Sequence, residues 1–359
     1  MIQDFGMRVH ERVNAELRTV AGGRLAHLCR PTWIDILMTE RCNARCLHCD
    51  IWKNRGKEDS PTPEQWKTVL SDLRAWVGRI RVTLTGGEAL LRPFTVDVLA
   101  HGARIGLRME LLTHGYWLDQ SRIEAAARAR PWRITISLDG LGETHNRVRG
   151  HDNFFERTST TIETLKRVRR EEALSFRIRL KTVVMSHNLH DLTALARFAT
   201  QDGVDIFYQP IEQNYNTTED SAWWMHTDNW PRDTERAVAA VEELRQMKRQ
   251  GFAIANSDAQ LAVMIPYFRD PDGWRVATQA HMAHERFPTC AALGLLQLHS
   301  NGDVKVCSSA PPVGNVREQR IRRIWEQRPR WWEGGCCLER RLTTAEQENR
   351  PFVALAARR

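Results

Sequence analysis

A chain of 359 residues with 42% hydrophobic and 27% charged residues can hold one large α/β domain and a smaller one. No stretch approaches the roughly eighteen consecutive apolar residues of a membrane span, and residues 1–20 are charged throughout, without the apolar core of a secretory signal. The expectation is a cytoplasmic protein. In reducing surroundings its eight cysteines favour metal and redox chemistry over disulfides. The net charge of +8 is spread along the chain. The basic runs at Arg167–Arg170 and Arg320–Arg323 read as solvated helix faces, so neither nucleic acid, whose footprint would cluster on one surface, nor a membrane is an expected partner.

After a leader over residues 1–32, Thr32–Met38 reads as a strand that runs straight into a cysteine-rich loop. Thr62-Pro63-Glu64-Gln65 has the proline position and spacing of a capping box. The apolar residues Trp66, Val69, Leu70, Leu73 and Val77 then keep a helical period up to Gly78. The unit repeats. Ile80–Leu84 is a predicted strand ending near Gly86-Gly87, and Met109–Leu112 is a strand ending at Thr113-His114-Gly115. Asp119 is placed to cap a helix over Ser121–Arg130. Ile134–Leu138 is a strand before Asp139-Gly140, and Phe176–Val184 is another. Asn188 is placed to cap a helix over Asp191–Thr200, and Val204–Tyr208 precedes Gln209-Pro210-Ile211. Strands alternating with helices imply an α/β fold with a parallel sheet and right-handed crossovers.

Residues 212–233, polar and carrying Trp223, Trp224 and Trp230, read as a long ordered loop. A helix follows over Glu235–Gln250, residues 266–289 read as irregular, and Leu295–His299 and Val304–Val306 flank a Gly302-Asp303 turn in a predicted β-hairpin.

The loop after the first strand carries the chemistry. Cys42, Cys46 and Cys49 stand at C-x3-C-x2-C spacing. Thiolates are the usual ligands of a cubane iron–sulfur cluster. Three of them leave one of four irons open to bind and activate a small molecule. A structural zinc site would pair two short Cys/His clusters. Here the next cysteine is Cys290, and His48 beside Cys49 would chelate with strain. Cys29 stands alone and reads as structural.

This spacing, with the ring of His48 before the third cysteine, resembles the signature of the radical S-adenosylmethionine (SAM) superfamily. The resemblance implies a partial (β/α)6 barrel over residues 33–211, an insertion and connecting helix over 212–285, and a C-terminal module over 286–359. It implies a [4Fe-4S] cluster held by Cys42, Cys46 and Cys49, and SAM chelated at the open iron. An electron from a flavodoxin- or ferredoxin-type donor then cleaves SAM to methionine and a 5′-deoxyadenosyl radical.

Further residues fall where that family places SAM contacts. Gly86-Gly87-Glu88 is similar to the motif that meets the SAM amino group. Ser137 lies where a serine contacts the methionyl moiety or ribose. Asp139 either joins it or caps the turn into Gly140. Arg149, with Arg147 as competitor, resembles an arginine that pairs with the SAM carboxylate, for which a planar guanidinium is well shaped. His48 and Gln209-Pro210-Ile211 would border adenine. Thr113 and His114 are candidates for ribose or substrate contact, and Lys181 is a candidate if its strand's register points it inward.

Cys290 and Cys307 flank the hairpin, and Cys336-Cys337 follow. This resembles the SPASM and twitch auxiliary-cluster domains. Four cysteines suit one auxiliary [4Fe-4S] cluster, and the adjacent pair departs from the family's C-x2-C. Of the two, Cys336 is the expected ligand, because Gly334-Gly335 before it lets the chain fold tightly. The expected activity is hydrogen-atom abstraction from a substrate C–H bond, by an oxidoreductase or a peptide or natural-product maturase. The substrate is either a ribosomal peptide or a small molecule such as a sugar or aminocyclitol. The alternatives are an RNA-modifying enzyme and a metal-binding scaffold without activity.

Overall fold

The computed structural model describes residues 5–19, 25–54, 58–215, 217, 220, 222–271, 291–307 and 310–330. Six strands stand side by side in chain order, every neighbouring pair parallel. They are β1 (Trp33–Thr39), β2 (Arg81–Gly86), β3 (Arg108–Thr113), β4 (Arg133–Ser137), β5 (Arg177–Val184) and β6 (Asp205–Pro210). All six strands read from the sequence are present, close to their expected bounds. Before β1 comes α1 (Phe5–Thr19), and the crossovers carry α2 (Pro63–Val77), α3 (Thr95–Arg104), α4 (Ser121–Arg128), α5 (Glu143–Arg149), α6 (Phe154–Glu171) and α7 (Leu192–Gln201). After β6 come α8 (Thr234–Arg249), α9 (Asp258–Ala262) and α10 (Met264–Arg269).

Local signals set several of these bounds. In α2, Thr62 and Gln65 exchange the two hydrogen bonds of a capping box, and Trp66, Val69, Leu70, Leu73 and Val77 form its buried face. Asp119 accepts from Ser121 N at 2.9 Å at the head of α4. That helix ends at Arg128, short of the expected Arg130, which takes a left-handed φ of 52°. Asn188 does not cap α7. Its side chain accepts from Met185 N and donates to Asp139 O and Val183 O, tying the ends of β4 and β5 together. Residues 264–269, partly expected as irregular, form α10.

The strands are two-faced. Along β5, Ile178, Leu180, Thr182 and Val184 are buried on one side, while Arg179 and Lys181 point to the other. Asp35, Glu110, Arg133 and Asp205 share that other face by register. Lys181 on β5 feels the charges of Asp35 on β1 and Glu110 on β3. Strands that far apart in the order interact only because the sheet curls into a partial barrel with a charged lumen. Within it Arg133 grips Glu110 through two nitrogens, at 2.6 and 2.9 Å, and Arg179 grips Asp205 in the same way.

The expected C-terminal hairpin is present. β7 (Leu295–Leu298) lies parallel against the outer edge of β1, and β8 (Asp303–Lys305) and β9 (Gly314–Asn315) follow antiparallel, giving one nine-stranded sheet. α11 (Ile321–Glu326) closes the corner, where Trp325 Nε1 donates to the carbonyl of Cys29 at 2.8 Å. The outer edge of β6 is covered by residues 253–255, through Ile206 N to Ala253 O and Ala255 N to Ile206 O. Among the described residues, no helix is long and apolar enough to cross a membrane.

Candidate active site

The cysteine loop leaves the carboxyl end of β1 and is held from three sides. Gly87 N donates to Thr39 O at 2.7 Å and Glu88 N to Arg41 O at 2.9 Å. A Cβ on Gly86 would lie 2.2 Å from Thr39 O, and one on Gly87 2.2 Å from Arg41 O. These glycines therefore admit the loop's own backbone. From the last turn of α5, Arg149 O and Val148 O accept from Arg45 N and Leu47 N, each at 3.0 Å. From the segment after β6, Cys49 bridges to Tyr215, and Asn214 and Asn229 both donate to Leu47 O. Asn214, Tyr215 and Asn229 of the polar stretch after residue 211 thus hold the loop.

Cys46 is buried and Cys42 and Cys49 are half-buried, and none forms a disulfide. Ala44, Cys46 and Phe154 form a small apolar cluster, with Cys42, Cys49 and Tyr116 against it. Burial pushes the Cys42 thiol up to about 12 and Cys49 up to about 11, so these sulfurs ionise only when metal displaces the proton. Among the described residues, no three His, Cys, Asp or Glu side chains converge as ligands of one ion.

Around the loop, polar groups are already committed to one another. The Glu88 carboxylate, fully buried, accepts from Leu90 N at 3.1 Å, Thr113 Oγ1 at 3.0 Å and His114 N at 2.9 Å. Burial raises it to about 7. Tyr116 N donates to His114 Nδ1, which assigns the proton of the neutral ring to Nε2. Nε2 lies 2.7 Å from Asn43 Oδ1, and His151 Nε2 lies 2.8 Å from Asn43 O. Asn43, inside the cysteine loop, is thus clamped by two histidines. Thr113 and His114, expected as ribose or substrate contacts, are buried members of this frame.

A second chain of contacts starts at Asp139, also fully buried. Its Oδ1 accepts from Val183 N at 2.8 Å, and its Oδ2 pairs with Arg149 Nη2 at 2.6 Å. Arg149 Nη1 lies 3.5 Å from Cys46 Sγ. Two of the three guanidinium nitrogens are thereby engaged, and the buried Nε has no hydrogen-bond partner among the described residues. Arg147 is exposed and donates to His187 O, away from the thiols. The ring of His48 shares the field of Asp139, Arg149 and Lys181. Burial drops it to about 4, and its buried Nδ1 has no hydrogen-bond partner among the described residues.

Ser137 ends β4 in register with Lys181, which lies in register with Phe207. The register thus turns Lys181 inward. Its ammonium makes no hydrogen bond or ion pair among the described residues; Glu212 and Asp35 are the nearest opposing charges, and burial lowers its pKa. Glu212 is raised to about 7 by burial and accepts from Gln209 Nε2 at 3.3 Å. Cys307 lies half-buried just past β8. Cys290, Cys336 and Cys337 lie outside the described residues. The sequence reading passed over Asn43, His145, Asp35 and Glu212. For Asp35 a signal existed: alternating charged and apolar residues in strands of a parallel sheet mark a face that is not packed in apolar core.

A profile of the Radical SAM superfamily matches residues 36–199. The chain is similar to the AdoMet-dependent heme synthase of Methanosarcina barkeri, at 27% identity over 82% of each chain. It is also similar to the pre-heme d1 synthase of Dinoroseobacter shibae, at 30% identity over 83% of this chain and 76% of the relative. In fold it is similar to Streptococcus suis SuiB bound to the precursor peptide SuiA. That likeness has a TM-score of 0.64 at 15% identity, covering 95% of this chain and 77% of SuiB.

Proposed function

The chain belongs to the radical SAM superfamily and is an enzyme of that class, and from that premise we propose that its substrate is a small carboxylate-rich molecule of the tetrapyrrole kind, seated in the barrel lumen. The observation that carries this reading is the Lys181 ammonium, turned into the lumen with no ion-pair partner. An unpaired charge is costly to bury, and a substrate carboxylate would relieve that cost. The heme and pre-heme d1 synthases, similar to this chain over most of its length, carry names that denote tetrapyrrole chemistry.

In this reading Cys42, Cys46 and Cys49 hold the [4Fe-4S] cluster. His48, Gly86, Gly87, Glu88, Ser137, Arg149 and Gln209 surround SAM. When bound, the cluster would supply the electron for reductive cleavage of SAM, and with it radical chemistry at a substrate C–H bond. The chain's own part is to present and shield. Arg149 sets a fixed positive charge beside Cys46, which favours a thiolate there. Glu88 and the two histidines keep Asn43 and the loop in place. We assign Cys290, Cys307 and Cys336 or Cys337 to an auxiliary cluster, an acidic one-electron carrier to the reducing side, and the reaction to the cytosol. A second reading, a peptide substrate, is favoured by the fold likeness to SuiB with its precursor peptide.

The test is binding of Fe-coproporphyrin III to the anaerobically reconstituted enzyme, followed by the shift of its Soret band. Lys181→Met is expected to weaken binding about tenfold, as loss of one charge-assisted contact does, and Lys181→Arg to restore most of it. Equal affinity in all three proteins removes the tetrapyrrole reading. Binding of a short peptide in its place would favour the second.

A further inference from the structure

We propose that the amino-terminal foot of the barrel, where consecutive strands each begin with an arginine, is a binding site for a small oligophosphate anion. Arg81, Arg108, Arg133 and Arg177 are the first residues of β2, β3, β4 and β5. The cysteine loop leaves the opposite, carboxyl end of β1. The foot is therefore separate from the SAM centre, and the proposal does not rest on the substrate reading given above.

By register Arg81 lies beside Arg108, and Arg133 beside Arg177. Like charges side by side on neighbouring strands destabilise a sheet. The same arginines also gather at one aromatic ring. The guanidinium carbons of Arg133, Arg177 and Arg108 lie 4.5, 5.6 and 5.9 Å from the centre of the half-buried Trp132 ring. Arg81 stands 5.9 Å from the ring centre of Trp33, the first residue of β1. Cation–π attraction offsets part of the cost. A ring has no net charge, however, so the repulsion among the arginines stays.

The nearby carboxylates do not cancel it. Glu110 is held at both oxygens by Arg133 and also accepts from Thr135 Oγ1. Asp205 is gripped by Arg179. Asp35 lies in the field of Arg81, and burial raises its pKa toward the neutral form. Arg81 and Arg177 make no ion pair within 4.0 Å among the described residues. Burial, with the charges of Arg179 and Arg81, holds Arg133 below the ordinary guanidinium value even with Glu110 bound. Arg108 and Arg133 are buried, Arg81 is half-buried and Arg177 is exposed. Positive charge thus runs from the surface into the fold, where an anion can reach it. Guanidinium forks match phosphate oxygens, and several forks at one place suit an anion with several charges on a small body.

The experiment titrates inorganic tripolyphosphate into reconstituted full-length protein saturated with SAM, followed by calorimetry. Arg177→Gln and Arg81→Gln are each expected to weaken binding about tenfold, as loss of one charge-assisted contact does, with iron content unchanged. Arg177→Lys is expected to keep part of the affinity. Arg236→Gln, on the exposed face of α8, is expected to bind like the parent. No binding by the parent, or equal affinity in every variant, overturns the proposal, and the arginines then only brace the foot of the barrel. Should Arg81→Gln fail to fold, the exposed Arg177 decides alone. Displacement of tripolyphosphate by Fe-coproporphyrin III would put these arginines in the substrate site and overturn it as well. Failure of Fe-coproporphyrin III to bind at all strikes the tetrapyrrole reading and leaves the tripolyphosphate result standing. A short single-stranded RNA that binds through Arg177 while tripolyphosphate does not would assign the foot to nucleic acid, against the proposal.

Discussion

The rim of the barrel and its lumen treat buried charge in opposite ways. At the rim, Glu88, His114, Asp139 and Arg149 are spent on one another and on the cysteine loop. On the inner face, Lys181, Glu212 and Asp35 make no ion pair within 4.0 Å among the described residues. A satisfied network fixes geometry, whereas unpaired buried groups are a standing cost that a bound molecule can remove. The rim therefore reads as scaffold for the cofactors, and the lumen as the place where something is recognised.

The largest effect that would break this contrast is at the thiols. Replacing Cys42, Cys46 and Cys49 together with alanine is expected to abolish SAM cleavage and remove the iron they hold, measured by iron assay and 5′-deoxyadenosine release; retained cleavage would sink the cluster assignment. Next is Arg149→Met, which strands the buried Asp139 carboxylate. We expect a loss of about 3–5 kcal/mol in chemical denaturation, largely recovered in Asp139→Leu/Arg149→Met. A loss under about 1 kcal/mol would mean the rim is not a coupled network. Gly87→Ala puts a Cβ against Arg41 O and should cost about 1–3 kcal/mol, with faster loss of iron on dilution.

Acidity sharpens the same contrast. Burial holds His114 and His145 down to about 3, below the ordinary imidazole value. Their unfolded forms bind more protons across the interval from about 3 to 6.5, so stability is lost as pH falls through it. Glu88 works the other way: held up at about 7, it makes stability fall as pH rises from about 4.5 to 7. Melting temperatures against pH should therefore have a shallower acid slope in His114→Gln/His145→Gln, with His48 left to contribute the rest. In Glu88→Gln the slope should steepen. Identical curves for all three proteins would contradict the neutral, buried rim. The smallest effect lies far from both regions. Thr62→Ala removes the capping box of α2 and should cost about 1 kcal/mol without changing iron content.

The strand order, the α2 cap and the cysteine loop were legible because each depends on neighbours in sequence: period, spacing and turn chemistry. The roles of polar residues were less so. Arg149 was expected to await a ligand, and Asp139 to contact SAM or cap a turn. Yet the two lie on α5 and β4, and only the fold makes them partners. Asn188 has the look of a cap and serves as a staple between strands, since its amide finds two carbonyls across the sheet. The inward turn of Lys181 depends on register against β4 and β6, which one strand's sequence cannot fix.

The pairing of β7 with β1 has a consequence for how the protein is made. Trp33 finds its neighbour Leu295 only after roughly 260 further residues have been synthesised, which at ~5–20 residues per second takes about 13–50 s. During that time the β1 edge offers unpaired backbone groups beside the newly made cysteine loop, and an open edge is a template for wrong pairing with other chains. The nascent chain is therefore most vulnerable to aggregation just before its last strands emerge.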